Sequence, residues 1–414
     1  MSDTPFTPMT DFGKVPDGWV WGTATAAHQV EGGNVNNDWW EFEHDPTSVA
    51  VESSGDACDS WNRWREDPAL VKGMGLDSYR FSLEWSRIEP AEGEFSTVAL
   101  DHYREMLQAC RDLGLKTCVT FHHFTTPRWM TRKGGWTNPQ IVDRFARYCS
   151  VAVEKLGDLI DIACTLNEPN MVALVGYWYG TFPPGHLNDR EAFAAATANL
   201  VAAHHAARAV LKAGPGDFPV GLTHALFDYV LHADDDWYGE TLTWDEAPPD
   251  SHLAFYGYHV VTAYLDAAKE DDVIGVQTYF TEHLGLDGEK LLPRPPEVRE
   301  TTIGWVYSPE ALGKTVRWAA EYTGKPVIIT ENGISTDDDV ERIEYLSLAL
   351  QSVREALDDG VDIRGYYAWS LLDNFEWAHG FSMKFGLHAV NLTTFERTAK
   401  PSAAFLTRVV ASSR

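Results

Sequence analysis

The chain has 414 residues, with 33 Lys and Arg against 61 Asp and Glu, so its formal net charge is −28. This acidic balance excludes a nucleic-acid partner, because such binding needs a basic face to neutralise phosphates, and it argues equally against docking on anionic membranes. Hydrophobic residues make up 44% and charged residues 23% of the chain, a mix that is typical of a globular protein with a buried core. The composition therefore excludes disorder for the bulk of the chain.

The amino-terminal residues 1–10 are polar and contain proline, which predicts a short disordered terminus. They lack the basic start and apolar run of a secretory signal, and no apolar stretch of the sequence approaches the roughly 18 residues of a membrane span. The five cysteines form no Cys-x-x-Cys pair, which indicates buried thiols in a reducing compartment rather than disulfides or zinc ligands. We therefore expect a cytoplasmic protein without a metal.

A short β-rich run, a loop and a long amphipathic segment recur eight times along the chain. The predicted strands are Trp19–Thr23, Asp77–Leu83, Lys116–Phe121, Asp161–Leu166, Pro219–His224, Val273–Tyr279, Pro326–Thr330 and Gly365–Leu371. Most of these runs are continuously apolar, which is typical of parallel strands that are covered on both faces.

Amphipathic segments between the strands predict helices. The clearest are Thr97–Leu113, Asn138–Leu156, Arg190–Lys212 and Asp338–Leu357. The second opens with Asn138 and Pro139, a capping residue followed by a proline at the first helical position. Eight β–α alternations favour a single (β/α)₈ TIM barrel, an α/β fold in which residues 1–414 form one catalytic domain. An open dinucleotide-binding sheet is the alternative, but no Gly-x-Gly-x-x-Gly follows a strand.

Two glutamates follow predicted strands at the end of the barrel where catalytic residues are found. Glu168 stands in Thr-Leu-Asn-Glu-Pro after the fourth strand, and Glu331 stands in Thr-Glu-Asn-Gly after the seventh. Glycoside hydrolysis requires such a pair, because one carboxyl group protonates the leaving oxygen and the other attacks the anomeric carbon or activates water. A single glutamate here would more often be a solvated charge or a helix cap. Two in these contexts favour catalysis.

Three polar clusters invite a metal-site interpretation and do not support it. The adjacent His122 and His123 point to opposite faces of a strand, so they are not expected to share an ion. The pair His204 and His205 lies in an Ala-rich helical segment and is expected to be structural. The acidic run 234–236 lacks the regularly spaced oxygen ligands of a calcium loop, so we expect a solvated loop.

Five segments in chain order make the sequence similar to the family 1 glycoside hydrolases, the β-glucosidase/β-galactosidase family. The segments are Trp21–Gly32, Tyr79–Ile88, Thr165–Pro169, Thr330–Gly333 and Trp369–Trp377. The resemblance extends from Trp21 to about Ala403. It implies a retaining β-glycosidase that needs no cofactor and hydrolyses small-molecule β-D-glucosides, with β-D-fucosides and β-D-galactosides as further candidate substrates.

The resemblance also implies a role for each site residue. Glu331 is the expected nucleophile, and Glu168 is the expected general acid and base. Residues expected to support catalysis are Arg80, Asn167 and Tyr279, and those expected to bind the sugar are Gln29, His123, Asn167, Trp369, Glu376 and Trp377. Arg80 would favour the ionised form of Glu331, whereas burial and the charge of Glu331 would raise the pKa of Glu168. Retention implies carboxyl groups roughly 5–5.5 Å apart.

The sequence departs from the family pattern at three places near the expected site. Gln277 stands where the family has an asparagine, and Phe124 stands where many members have a tryptophan. The segment between Tyr279 and Trp305 is short. The sequence therefore does not determine which leaving group the enzyme prefers. The phospho-sugar branch of the family is disfavoured, because Glu376 stands where that branch has a serine and its charge would repel a phosphate.

Two alternative functions share the same barrel. A catalytically silent sugar-binding protein would typically lack one of the two glutamates, and both Glu168 and Glu331 are present. A transglycosidase would use the same covalent intermediate and differ only in the acceptor, so the sequence does not separate it from a hydrolase. The sequence also leaves the natural aglycone, the ranking of sugars and the oligomeric state open.

Overall fold

The computed structural model describes residues 6–233, 236–249, 251–285, 292 and 294–414. Half of the terminus predicted to be disordered and two residues of the acidic run 234–236 lie outside this part of the chain. Within it, the backbone N–H of Met9 donates a hydrogen bond to Ser347 Oγ at 2.6 Å. The described terminus is therefore held against the body of the protein from Met9 onward.

Eight parallel strands close into a barrel, as the sequence predicts. They are β1 Val20–Ala24, β2 Ser78–Ser82, β3 Lys116–Thr120, β4 Ile162–Asn167, β5 Val220–Ala225, β6 Ile274–Gln277, β7 Val327–Asn332 and β8 Ile363–Trp369. Each strand pairs with its neighbours in chain order, and β1 closes the barrel on β8, with Val20 opposite Gly365 and Ala24 opposite Trp369. The carboxyl ends of all eight strands therefore meet at one mouth.

The strands are buried almost throughout, which explains their continuous apolar runs. Three strand ends near the expected site differ from the prediction by two residues. Strand β6 stops at Gln277, two residues short of Tyr279, β7 continues to Asn332, and β8 stops at Trp369, two residues short of Leu371. Glu331 consequently lies within β7, where it pairs with Gln277 of β6, rather than in the loop that follows.

Helices surround the barrel and cap its loops. The α-helices are Ala27–Val30, Asp38–Glu43, Ser60–Arg63, Glu66–Gly73, Trp85–Ile88, Thr97–Asp112, Arg128–Thr131, Ile141–Leu156, Pro169–Tyr177, Arg190–Ala213, His252–Tyr256, Ala263–Ala268, Ala311–Thr323, Asp339–Asp358 and Pro401–Ser412. Short 3₁₀ turns cover Gly135–Thr137, Gly157–Leu159, Trp244–Glu246 and Trp377–His379, and one π-helical turn covers Gly257–Thr262. None of the described helices is long and apolar enough to cross a bilayer.

One predicted helix start is wrong. The helix expected from Asn138 begins at Ile141, and Asn138 itself is extended, with φ −89° and ψ 115°. The N–H groups of Ile141 and Val142 donate to the carbonyls of Asn138 and Pro139, three residues back, so a tighter turn precedes the α-helix. Asn138 Oδ1 instead accepts a hydrogen bond from the N–H of Gln140 at 3.0 Å, so its side chain closes a turn ahead of the helix.

A small sheet stands above the mouth on the β5 and β6 side. Residues Asp228–His232, which follow β5, pair in parallel with Thr281–Leu284, which follow β6, and Thr241–Leu242 adds a third strand. In this sheet Tyr229 lies opposite Glu282. The chain therefore builds a wall beside the barrel mouth. A separate two-stranded sheet joins His388–Val390 and Arg397–Ala399.

Candidate active site

A cavity of about 110 Å³ opens at the carboxyl ends of the strands. Every predicted site residue except Arg80 lines it, namely Gln29, His123, Asn167, Glu168, Tyr279, Glu331, Trp369, Glu376 and Trp377. Arg80 lies fully buried behind this lining and contacts it from below. The fold thus brings together residues that are as far apart in the sequence as Gln29 and Trp377.

Glu331 is held by two donors. Arg80 Nη1 donates to Glu331 Oε1 at 2.6 Å, and the hydroxyl of Tyr279 donates to Oε2 at 2.7 Å. The residue is 3% exposed, so its orientation is fixed by these bonds rather than by water. Hydrogen bonds to a charged carboxylate favour its ionised form.

Glu168 stands at the start of the helix Pro169–Tyr177, directly after β4. Its backbone adopts a left-handed conformation with φ 43°, and its N–H donates to the carbonyl of Thr223 at 2.8 Å. Its carboxyl group has no hydrogen-bond partner among the described residues and lines the cavity. The local backbone therefore brings the carboxyl group of Glu168 to the same cavity as Glu331, which Arg80 and Tyr279 hold.

The two carboxyl groups differ in how far their pKa values are raised. Burial raises the pKa of Glu168 well above its ordinary value of 4.5, and the charges of Glu331 and Glu376 add to this rise. Burial also raises the pKa of Glu331, but Arg80 and Tyr279 oppose the rise. Arg80 thus favours the ionised form of Glu331 as expected, although the net direction is upward. Glu331 is the member of the pair that ionises first.

Asn167 connects Arg80, which holds Glu331, to His123 on the other side of the cavity. Its Oδ1 accepts hydrogen bonds from Arg80 Nη2 at 2.6 Å, from Gln277 Nε2 at 2.8 Å and from Thr223 Oγ1 at 3.1 Å. These three donors identify the oxygen, so Nδ2 is the atom that donates to His123 Nε2 at 3.2 Å. One amide therefore orients Arg80, Gln277 and His123 together.

Two buried polar atoms of the cavity lining have no partner among the residues that the structure describes. Because Nε2 of His123 accepts from Asn167, its Nδ1 carries the proton, and no described residue accepts a hydrogen bond from this Nδ1. Burial lowers the pKa of His123 well below its ordinary value, so the ring is neutral. Gln29 donates to the carbonyl of Phe375 at 2.8 Å, while its Oε1 has no partner in the described part of the chain. The cavity thus offers one donor and one acceptor to a polar ligand.

Glu376 adds a further carboxyl group on the side of Gln29. Gln29 Nε2 donates to Glu376 Oε2 at 3.3 Å. Burial and the charge of Glu331 raise the pKa of Glu376 to about 8. A sugar with adjacent hydroxyls can donate to this carboxyl group and satisfy it in place of water.

Indole rings form the apolar side of the cavity. The ring of His123 is stacked with Trp369 at 5.9 Å and 17° and with Trp377 at 6.1 Å and 15°. Behind Trp377 lies His28, nearly parallel to it at 9°, and Glu43 Oε2 is 3.3 Å from His28 Nε2. Flat rings fixed in this way can pack against the apolar face of a sugar.

Three non-glycine residues of the lining have left-handed backbone conformations. They are Phe124 at φ 69°, Glu168 at φ 43° and Trp377 at φ 49°. Such conformations cost about 1–3 kcal/mol each and cluster at functional sites, where the surrounding structure maintains them. The sequence carries no signal for them, because none of the three positions is a glycine or an asparagine.

The structure shows where the departures from the family pattern lie. The amide nitrogen of Gln277 reaches Asn167, and Phe124 packs against Phe182 and Trp377 at the rim.

His122 and His204 lie outside the cavity. His122 packs against Trp136 and Phe145, and burial lowers its pKa to about 3. His204 Nδ1 contacts Thr165 Oγ1 at 2.7 Å. Within the described ranges, no group of three or more His, Cys, Asp or Glu side chains could hold a metal ion.

Sequence reasoning missed part of the lining. Met171, Phe182, Phe227 and Trp305 line the cavity and were not expected there. They come from loops and from the helix after β4, where the sequence does not distinguish an apolar residue of a cavity from one of the hydrophobic core. Phe227 follows β5 by two residues, and this position is the one signal that could have indicated it.

Two unequal carboxyl groups at the mouth of a closed (β/α)₈ barrel suit glycoside hydrolysis, in which one group attacks the anomeric carbon and the other transfers a proton. Comparison with known proteins gives the family. The model described as glycosyl hydrolase family 1 matches residues 12–232 and 259–414. The chain belongs to this family.

The similarity to known proteins covers nearly the whole chain. Beta-glucosidase A of Thermotoga maritima is 33% identical over 96% of this chain and 98% of its own length. A bifunctional beta-D-glucosidase/beta-D-fucosidase of Bifidobacterium breve is 31% identical over 96% of this chain and 98% of its own. The solved structure of a Thermotoga maritima beta-glucosidase in complex with deoxynojirimycin is 31% identical, covers 97% and 99% of the two chains, and has a TM-score of 0.86.

Proposed function

We propose that this protein is a retaining β-glycosidase that hydrolyses terminal β-D-glucosides, with Glu331 as nucleophile and Glu168 as general acid and base. The observation that carries the proposal is the unequal setting of the two carboxyl groups. Glu331 is held by Arg80 and Tyr279, whereas Glu168 lacks such bonds among the described residues and has the more strongly raised pKa. The first group suits attack as a carboxylate, and the second suits proton donation.

In the first step Glu331 attacks the anomeric carbon while Glu168 transfers its proton to the leaving oxygen, which departs as an alcohol. A covalent glycosyl ester on Glu331 results. Forming this ester removes the negative charge of Glu331, so the pKa of Glu168 falls. Glu168 can then take a proton from water as the water attacks the same carbon, which releases the sugar with its original configuration and restores both carboxyl groups.

The remaining lining supports recognition of a hexose. His123 Nδ1 can donate to a sugar hydroxyl, Gln29 Oε1 can accept from one, and Glu376 can accept from two. The indoles of Trp369 and Trp377 suit the apolar face of the ring. Relatives named for glucosidase, fucosidase and galactosidase activities support glucosides as the main substrates, with β-D-fucosides and β-D-galactosides as further ones.

Proton NMR with an aryl β-D-glucoside tests the proposal, because it shows which glucose anomer forms before mutarotation. We expect the β-anomer first, and we expect Glu331→Gly to abolish its formation. An α-anomer formed first would contradict the covalent mechanism. Parallel reactions with the aryl β-D-fucoside and β-D-galactoside rank the three sugars, and the ratio of free glucose to transfer product separates hydrolysis from transglycosylation.

We also propose that residues 1–414 act as one domain in a reducing, cytoplasmic compartment. All five cysteines are free and buried, and the sulfurs of Cys118 and Cys164 lie 3.7 Å apart without a bond. A single cooperative thermal transition would support one domain, and two separated transitions would contradict it. Cell fractionation tests the location.

A further inference from the structure

The hydrogen bond from Tyr279 to Glu331 starts from a segment that lies outside the barrel sheet. Strand β6 ends at Gln277, and the next strand, in the small sheet, begins at Thr281, so residues 278–280 lie between two sheets. The hydroxyl of Tyr279 nevertheless reaches Glu331 Oε2 at 2.7 Å. Because the segment belongs to neither strand, contacts other than strand pairing must hold its backbone in place.

Two backbone carbonyls of this segment accept hydrogen bonds from buried side chains. Asn332 Nδ2 donates to the carbonyl of Thr278 at 2.7 Å, and the hydroxyl of Tyr345 donates to the carbonyl of Tyr279 at 2.7 Å. Neighbouring residues of a strand point to opposite faces, so Asn332 points away from the cavity that its neighbour Glu331 lines. The backbone that carries Tyr279 is therefore held from the side opposite the cavity.

The donors and acceptors of this buried cluster can be assigned. Asn332 Nδ2 donates to a carbonyl oxygen, which can only accept, so Oδ1 is the atom that accepts from the hydroxyl of Tyr366 at 3.0 Å. The hydroxyl of Tyr345 accepts from Asn332 Nδ2 at 3.3 Å and donates its own proton to the carbonyl of Tyr279. Burial raises the pKa of Tyr345, so the hydroxyl keeps the proton that it donates.

The helix that carries Tyr345 is joined to the loops after β7 and β8. The helix covers Asp339–Asp358, and Tyr345 is 1% exposed on its second turn. One turn earlier, the buried side chain of Arg342 donates to the carbonyl of Ile334 at 2.7 Å and to that of Lys384 at 3.0 Å. The hydroxyl of Tyr345 therefore has a defined position relative to the barrel mouth.

We propose that Tyr345 is a positioning residue for the nucleophile: by holding the carbonyl of Tyr279, it places the Tyr279 hydroxyl where it can donate to Glu331. This inference rests on the proposed role of Glu331 in β-glycoside hydrolysis and adds to it a residue that does not line the cavity. Without the Tyr345 hydroxyl, a buried carbonyl loses a donor and the segment that carries Tyr279 is held less firmly.

Tyr345→Phe tests the proposal, because it removes one buried oxygen and keeps the ring that packs in the core. We expect kcat/KM for an aryl β-D-glucoside to fall about threefold to tenfold, the size expected for one hydrogen bond between neutral groups. Protonation of Glu331 limits the rate at low pH, so a weaker bond from Tyr279 should also move the acidic limb of the kcat/KM profile to higher pH. This shift should be smaller than in Tyr279→Phe, which removes the bond to Glu331 completely.

A double variant separates positioning through Tyr279 from other effects of the Tyr345 hydroxyl. Tyr279→Phe leaves no hydroxyl to position. Adding Tyr345→Phe to it should therefore leave the acidic limb where Tyr279→Phe places it and lower kcat/KM by less than about a further twofold. Two independent effects would instead multiply.

Two controls come from a different helix, Ile141–Leu156. Tyr148 is buried there, and its hydroxyl donates to the carbonyl of Phe121 at 2.9 Å. Tyr148→Phe thus loses the same kind of bond at another carbonyl, so it should lower the thermal stability and keep the acidic limb of the wild type. Glu154→Gln, an exposed change on the same helix, should keep both.

An acidic limb that stays in place in Tyr345→Phe, or moves no further than in Tyr148→Phe, would overturn the positioning role. A double variant in which the two losses multiply would overturn it as well. These results leave the proposed function intact while the wild type hydrolyses the glucoside. If the wild type hydrolyses no β-glycoside, or if Glu331→Gln keeps the activity, the proposed function itself is contradicted, and the role of Tyr345 is overturned with it.

Discussion

Strands β7 and β4 each bring a glutamate to the barrel mouth, but the surroundings of the two carboxyl groups differ. Glu331 lies inside β7, where Arg80 and Tyr279 hold both of its oxygens. Glu168 lies one residue beyond β4, in a left-handed conformation, with no hydrogen-bond partner for its carboxyl group among the described residues. Both pKa values are raised, that of Glu168 further. The surroundings of a carboxyl group, rather than its identity, therefore decide which step it serves.

The largest effect should follow the loss of Glu331. Glu331→Gln removes the group that we propose forms the covalent ester, so kcat/KM for an aryl β-D-glucoside should fall about 10⁵-fold. Steady-state kinetics on highly purified variant measures the loss, with Glu154→Gln as the folded control. A fall of less than about tenfold would assign the nucleophile elsewhere.

Loss of Glu168 should be smaller and should depend on the leaving group. In Glu168→Gln the leaving oxygen receives no proton, so we expect a fall of about 10²–10⁴-fold for a poorly leaving alkyl or phenyl glucoside. A dinitrophenyl glucoside needs no protonation, and its release from the enzyme should be much less affected. A plot of rate against leaving-group acidity measures the difference. Equal losses for both substrates would remove Glu168 from the proton-donor role.

Removing the hydroxyl of Tyr279 should bring the pKa values of Glu331 and Glu168 closer together. Tyr279→Phe deletes a bond that lowers the pKa of Glu331. We expect kcat/KM to fall about tenfold to 100-fold, the size expected for a hydrogen bond to a charged group. The wild-type profile should be bell-shaped, since protonation of Glu331 limits it at low pH and ionisation of Glu168 limits it at high pH.

In the Tyr279→Phe variant the acidic limb of this profile should move to higher pH, because Glu331 holds its proton more strongly. The pH dependence of kcat/KM measures the shift. An acidic limb that stays in place or moves to lower pH would show that the hydroxyl does not stabilise the charge of Glu331.

The smallest expected effect is on stability. The pKa of Glu168 is raised on folding, so the native state loses stability relative to the unfolded state as pH rises above the ordinary glutamate value of 4.5 and until it passes the native pKa. Glu168→Gln removes this penalty and should stabilise the protein by roughly 1–2 kcal/mol at pH 8 and by little at pH 4. Thermal unfolding at the two pH values measures the difference. A gain that does not grow with pH would contradict the raised pKa.

Much of the contrast between Glu168 and Glu331 could be predicted from the sequence, because both residues lie at the ends of barrel strands. Continuous apolar runs predict the barrel, and motifs after the fourth and seventh runs predict Glu168 and Glu331. The prediction fails where tertiary contacts decide the outcome. The tautomer of His123 depends on which atom of Asn167 contacts its Nε2, and Arg80, Gln277 and Thr223 together determine that atom.

The small sheet beside the barrel mouth shows the same limit. Glu282 has no strand-end position in the barrel, and its burial arises because Asp228–His232 and Thr281–Leu284 pair across a long interval of sequence. The left-handed backbone of Phe124 and Trp377 is likewise imposed by packing at the rim. Pattern and propensity describe neighbours along the chain, and these features depend on neighbours in space.

The most direct test of the central claim is covalent trapping. A 2-deoxy-2-fluoro-β-D-glucoside with an activated leaving group forms the first ester quickly and hydrolyses it slowly, because the fluorine destabilises both transition states while the leaving group favours the first. Peptide mass spectrometry then locates the sugar. The account predicts that the sugar is attached to Glu331 and that Glu168 is unmodified. A label on Glu168, or inhibition without any label, would contradict it.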